Sequence, residues 1–306
     1  MTVSLRSRLN TNLLAVTACL LWSTAFVGIK VGLAHTTPLN FAGKRFFIAG
    51  LILLPFSGKP RELKRTLLDH FPFIASVSLF STILVYALFY LGISLGSAST
   101  TAIIVGGSPL FVAIMAHLFM PNDKLTKRKS AALIIGLIGI WSIAVGRYKG
   151  ETNSPSASWA VLLLVSANIS GGWGNILVAR SIRTIAPLRL SALQLVIGGA
   201  ALLLISLPFE GMDLSIKPLS YYGALLYLSL LSAGAMTIWF TLLCRPGVKV
   251  STINIWKFII PPLGAILSWT LLEHDSPDAS QILGMCLISS ALLLLHVRIP
   301  AHSATI

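Results

Sequence analysis

Apolar stretches of about 20 residues recur along the whole chain, and charged residues, Pro, Gly and Asn cluster between them. A helix needs roughly 20 mostly apolar residues to cross the hydrocarbon core of a bilayer. The pattern therefore predicts ten transmembrane helices, over 11–34, 39–57, 71–95, 97–120, 129–147, 158–180, 188–208, 219–244, 249–272 and 280–297. The first follows a basic start, Arg6 and Arg8, as a signal peptide would. Its apolar run, however, exceeds the roughly 7–15 residues of a signal peptide and reads as a span. The expected fold class is an all-α integral membrane protein.

One stretch, GETNSPSAS at 150–158, has the composition of a linker, and it falls at the midpoint. The halves on either side, 11–147 and 158–298 around a linker at 148–157, align in order. Trp22 falls over Trp173, Ile48-Ala49-Gly50 over Ile197-Gly198-Gly199, Ser99-Thr100 over Ser251-Thr252, Pro109 over Pro261, and Ile134-Ile135-Gly136 over Ile282-Leu283-Gly284. The offsets drift only between 148 and 152. Five spans per half is an odd number, so the second half must lie inverted relative to the first. Two inverted five-helix repeats are an architecture of alternating access, and they predict a transporter.

Composition fits a bundle in lipid. Of 306 residues, 55% are hydrophobic and 10% charged, against about 25% charged in soluble domains. The net charge of +14 would suggest a nucleic-acid partner in a soluble protein, but the basic residues sit between apolar segments. With the N-terminus inside, 16 of the 23 Lys and Arg residues fall on the cytoplasmic side and three (Arg147, Lys149, Lys217) outside. This bias predicts both termini in the cytoplasm. The partners expected are the lipid bilayer and a small-molecule substrate, with no nucleic acid; nothing in the chain sets an oligomeric state. Cys19, Cys244 and Cys286 are too dispersed for a metal or redox motif, and no cofactor is expected.

The chemistry-bearing residues narrow the function. All nine Asp and Glu lie in loops or at span ends, which leaves no mid-membrane carboxylate for a proton relay; His117 is the remaining titratable candidate. Lys30, Lys44, Arg45 and Lys257 lie within spans. Lys30 and Lys44 are expected to snorkel outward, whereas Arg45, whose repeat mate is Gln194, either braces the bundle or meets substrate at the outer mouth. Lys257 sits about 10 Å inside the inner end of its span at 1.5 Å per residue. Pro261 and Pro262 follow, and neither can donate to the carbonyl four residues back. Pro109, after Gly106-Gly107-Ser108, interrupts the fourth span at the matching place. Paired interrupted helices point to a binding site, with these three prolines as hinges. Asn254, Lys257, Pro261, Gly264 and Ser268 share a small and polar face, so Lys257 is expected to point inward and hold an anion. Helical spacing adds Asn168 and Asn175 on the sixth span, Tyr86 and Tyr90 on the third, and Trp239 on the eighth.

These pieces resemble the drug/metabolite transporter superfamily in its EamA-like branch. The resemblance rests on LLWSTAFVGIKVGL (20–33), RFFIAGLILL (45–54), YALFYLGISLGSASTTAIIVGGSPLFVAIMAHLF (86–119) and NIWKFIIPPLGAILSWTLLE (254–273). It implies ten helices in a bacterial inner membrane, a central cavity, and export or exchange of small metabolites, commonly amino acids. Organic-phosphate exchangers of the superfamily carry a Lys-Arg pair on the ninth helix; here Phe258 follows Lys257, which implies a singly charged carboxylate rather than phosphate. Where the family usually has Glu after the fourth helix, this chain has Asn122-Asp123. Rival readings are an amine or drug exporter, for which no membrane carboxylate is available, and a membrane-embedded lipid-handling protein. A membrane enzyme is not expected, because no carboxylate or histidine cluster appears.

Overall fold

The computed structural model describes residues 5–95, 104–145, 155–181, 185–211, 215–260, 262–263, 266–267 and 279–296. Every regular element among them is helical. The helices are α1 (Leu5–Leu33), α2 (Pro38–Leu53), α3 (Pro60–Ser78), α4 (Leu84–Leu95), α5 (Ser108–Phe119) and α6 (Lys127–Val145). After these come α7 (Pro155–Arg180), α8 (Pro187–Glu210), α9 (Leu219–Leu243), α10 (Val250–Ile255) and α11 (Ala279–His296). A π-helical turn, Leu79–Ile83, joins α3 to α4, and a 3-10 stretch, Trp256–Ile259, continues α10. Among the described residues, six helices are long and apolar enough to cross a membrane, within 10–33, 38–56, 60–92, 158–180, 187–210 and 219–243. Apolar segments at Ser108–Phe119 and Ile282–Leu294 are shorter, and 268–278, in the expected ninth span, falls outside the described residues.

Large apolar side chains cover the outside of the bundle as well as its core, and several polar side chains are enclosed. Leu204, Leu226, Leu162 and Ile134 are more than half exposed, while Ser78, Thr82, Ser191, Gln194, Ser229 and Asn254 are wholly enclosed. In lipid the apolar side chains face the solvent, and polar side chains act as contacts between helices. Thr82 Oγ1, for example, donates to Gln194 Oε1 at 2.8 Å.

The sequence pattern starts the third span at 71 and leaves the basic residues before it in a loop. In the structure the helix begins at Pro60 and bends at His70 (φ −127°, ψ 20°), two residues before Pro72. Pro60 in the first turn with Glu62 beside it makes a sound helix start, and Leu63 and Leu67 turn one side of the segment toward the core. The helical signal was amphipathic, and it was masked by charge.

Helix pairs in close contact include α2 with α8, α6 with α11, α1 with α9, α4 with α7, α2 with α9, α5 with α7, and α5 with α10. The first pair meets through glycines. A Cβ on Gly50 would lie 2.6 Å from the Val196 backbone nitrogen, and one on Gly199 would collide with the Phe47 backbone nitrogen. Close approach of this kind is a common way of joining membrane helices. Gly199→Ala is expected to cost about 1–3 kcal/mol through overpacking, read as a lower melting temperature in detergent. Gly223→Ala, where nothing lies within 4 Å, should leave the melting temperature near that of the wild type.

Glu210, at the end of α8, caps α2. Its two carboxylate oxygens accept the N–H groups of Leu39 at 2.9 Å and Asn40 at 2.8 Å. These donors have no partner within the helix, and the positive helix end favours the negative charge.

Candidate functional site inside the bundle

The two interrupted helices are resolved differently from the loose breaks that their prolines suggest. Pro109 stands in the first turn of α5, after Gly107, whose carbonyl accepts the Leu110 N–H at 2.9 Å. The carbonyl of Ile104 just before the break accepts Asn168 Nδ2 at 2.5 Å. In the second half, Pro261 lies outside the described residues and Pro262 is helical. The carbonyl of Lys257, which Pro261 cannot serve, accepts the N–H of Ile260 three residues on. That shortened bond is the tighter i→i+3 pattern of a 3-10 turn, and it explains the change of helix type at Trp256. Lys257 is thus presented from a constricted turn.

The ammonium of Lys257 lies 4.6 Å from the centre of the Trp239 ring and 5.5 Å from that of Trp22. The two indoles pack edge to face, with centroids 5.0 Å apart. Attraction to an indole face acts within about 6 Å and contributes about 0.5–2 kcal/mol. No carboxylate among the described residues pairs with Lys257. Trp239 is itself fixed, because its Nε1 donates to Asn175 Oδ1 at 2.8 Å and Asn175 Nδ2 donates to the Gly171 carbonyl at 2.9 Å. Trp239→Phe keeps a ring beside the lysine but strands the Asn175 oxygen. It should cost about 1–3 kcal/mol, and an unchanged melting temperature would show that this bond contributes nothing.

Arg45 forms a second group. It is 3% exposed, its Nε donates to Ser232 Oγ at 3.1 Å, and its guanidinium lies over the rings of Phe46 at 4.5 Å and Tyr86 at 5.7 Å. Its Nη1 is buried without a hydrogen-bond partner. Ser232 is the fourteenth of the 25 residues of α9, so the guanidinium reaches the middle of that helix rather than its outer end. Tyr90, also buried, packs edge-on against Phe89 with centroids 5.5 Å apart.

Lys257, Trp239 and Asn175 therefore come together, as do Arg45 and Tyr86. Asn168 and Asn254 spend their amide nitrogens on backbone carbonyls, the latter on Val250 at 2.9 Å, while Asn254 Oδ1 is buried without a partner. The indole of Trp22 is the contact that sequence reasoning did not assign, although its position opposite Trp173 in the repeat had already marked it.

The other unassigned cluster is ionic. Lys129 Nζ lies 2.6 Å from Asp123 Oδ1 and donates to Ser251 Oγ at 2.6 Å. The Ser251 N–H donates to Asp123 Oδ2 at 2.8 Å, and its hydroxyl donates to Oδ1 of the same carboxylate. All three side chains are buried. Asp123 thereby holds the N-terminus of α10, the helix that leads into the Lys257 turn. His117 closes the neighbouring corner, its Nδ1 accepting the Leu125 N–H at 3.2 Å.

A helical bundle with apolar flanks, enclosed polar side chains and, among the described residues, inward cations without a carboxylate partner fits a polytopic membrane protein with an internal polar site. The model of the EamA-like transporter family matches residues 9–145 and again 158–297. The chain belongs to that family, and it is a membrane transporter. It is 25% identical over 280 residues to the uncharacterized transporter YoaV of Bacillus subtilis, covering 91% of this chain and 94% of that protein. It is 26% identical over 293 residues to the "Probable amino-acid metabolite efflux pump" of Salmonella typhimurium, covering 92% and 93% respectively. A chain in a solved crystal structure shares the fold with a TM-score of 0.80 at 18% identity, over 94% of this chain and 96% of that one.

Proposed function

We propose that this transporter moves a small carboxylate-bearing metabolite, an amino acid or a related acid, by export or exchange through alternating access. The observation that carries the reading is the Lys257 ammonium, set against Trp239 and Trp22 with no carboxylate partner among the described residues. An inward cation in a low-dielectric interior is costly unless an anion joins it. The substrate supplies that anion when bound. The name of the Salmonella relative, a probable amino-acid metabolite efflux pump, agrees with this class. The chain acts as a carrier rather than an enzyme.

The motion is a rocking of two inverted five-helix repeats, with ten spans in a bacterial inner membrane and both termini in the cytoplasm. Support comes from the family model, which matches one stretch in each half, and from the packing. Exchanging the halves maps α2 with α8, α5 with α10 and α6 with α11 onto themselves, and interchanges α1 with α9 and α4 with α7. At residue level, Gly50 abuts Val196 and Gly199 abuts Phe47; each contact is the repeat mate of the other. The basic residues between spans support the orientation.

The test is release from liposomes that contain the purified protein and a mixture of amino acids, small carboxylates, sugar phosphates and amines. Selective loss of a carboxylate is expected. Selective loss of an amine would overturn the role given to Lys257.

A further inference from the structure

We propose that the site takes a dianion: a short dicarboxylate whose two acid groups bridge Lys257 and Arg45. The proposal rests on the carboxylate reading of Lys257 and narrows it. Lys257 lies against Trp239, and Arg45 bonds to Ser232. These two residues are seven apart on α9, which puts them on one face and about 10 Å apart along the axis at 1.5 Å per residue. Both cations therefore flank one side of one helix, with Arg45 at its middle and Lys257 two turns further along.

Arg45 is the reason a singly charged substrate is insufficient. Its guanidinium is almost wholly enclosed, yet its protein contacts are one serine hydroxyl and two aromatic faces, and Nη1 has no acceptor. Arginine stays charged in a protein and presents a fork of donors suited to a carboxylate. The carboxylate of Glu210 reaches α2, but both of its oxygens are taken by the Leu39 and Asn40 amides. A monoanion on Lys257 would leave Arg45 uncompensated, whereas a second acid group satisfies it. Subtracting about 3 Å at each end for a charge-assisted hydrogen bond leaves roughly 4 Å between the acid groups, the reach of a dicarboxylate of about four or five carbons.

The experiment is counterflow of labelled succinate and glutarate into liposomes containing the full chain, beside butyrate and valerate as monoacids of the same length. The wild type is expected to carry the diacids at least about thirtyfold better than the monoacids, the loss set by leaving one buried charge unpaired. Arg45→Gln should lower diacid flux about thirtyfold and bring the diacid-to-monoacid ratio to about one. Equal wild-type flux of diacid and monoacid overturns the dianion, and this comparison needs no variant, so it stands even if Arg45→Gln does not fold. Undiminished diacid flux in a folded Arg45→Gln protein overturns it too. The parent reading fails separately: flux that survives in Lys257→Met, or that is confined to amines, removes the carboxylate site itself, whereas Lys257-dependent flux without diacid preference removes only the bridge. Flux of none of the four acids overturns the dianion, while the parent reading falls only if the mixture assay releases no carboxylate.

Discussion

Lys257→Met is expected to abolish carboxylate transport, with a drop of at least about thirtyfold in flux, and to leave a folded protein in the membrane. The methionine keeps most of the aliphatic stem and its packing on Trp239 and Trp22, so what is removed is the charge. Loss of a charged partner to a desolvated anion costs about 2–5 kcal/mol, which sets the size of the drop. Stability should hold or rise slightly, because an unpaired inward cation is itself unfavourable. The pair of readouts is flux in liposomes and melting temperature in detergent. Retained flux would remove Lys257 from the mechanism; lost flux with an unfolded protein would assign the lysine a structural role instead.

The second large effect is expected at Asp123. Asp123→Ala removes the carboxylate that meets Lys129, the Ser251 hydroxyl and the Ser251 N–H. It leaves Lys129, 7% exposed, without its counter-ion. Breaking one side of a buried pair costs about 3–5 kcal/mol, because the surviving charge is uncompensated. The double variant Asp123→Ala/Lys129→Met removes that orphan and should recover most of the lost melting temperature. Equal losses in the single and double variants would mean that the Ser251 bonds, rather than the ion pair, carry the stability. Since α10 leads directly into the Lys257 turn, the single variant should also lower flux.

The six long apolar helices could be read from local pattern, since a long apolar run makes a span, and so could a Lys257 turned away from lipid, since its face is small and polar. The break at Pro109 and the carbonyl of Lys257 that Pro261 cannot serve could be read from the missing N–H groups alone. What answers each break could not. Ile260 closes the Lys257 carbonyl through a tighter turn, and Asn168 reaches the Ile104 carbonyl from another helix. Such partners depend on which residues of two helices stand at the same height, and apolar sequences carry little information about that register. The same limit hid Trp22 beside Lys257 and left Arg45 open between bracing the bundle and meeting substrate at the outer mouth; its guanidinium reaches the centre of α9. Asp123 had one usable signal, its place in the segment where the resemblance expects an acid. Its partner Ser251, 128 residues on, was marked only by its place over Ser99 in the repeat.

A carrier that cycles a carboxylate past Lys257 is expected to show trans-stimulation. Liposomes containing the protein are preloaded with an unlabelled carboxylate released in the mixture assay, and entry of the labelled compound is followed. The label should accumulate transiently above equilibrium in a manner that depends on the preload, and this overshoot should disappear in Lys257→Met. Entry that is indifferent to the preload, or that persists without the lysine, would contradict it.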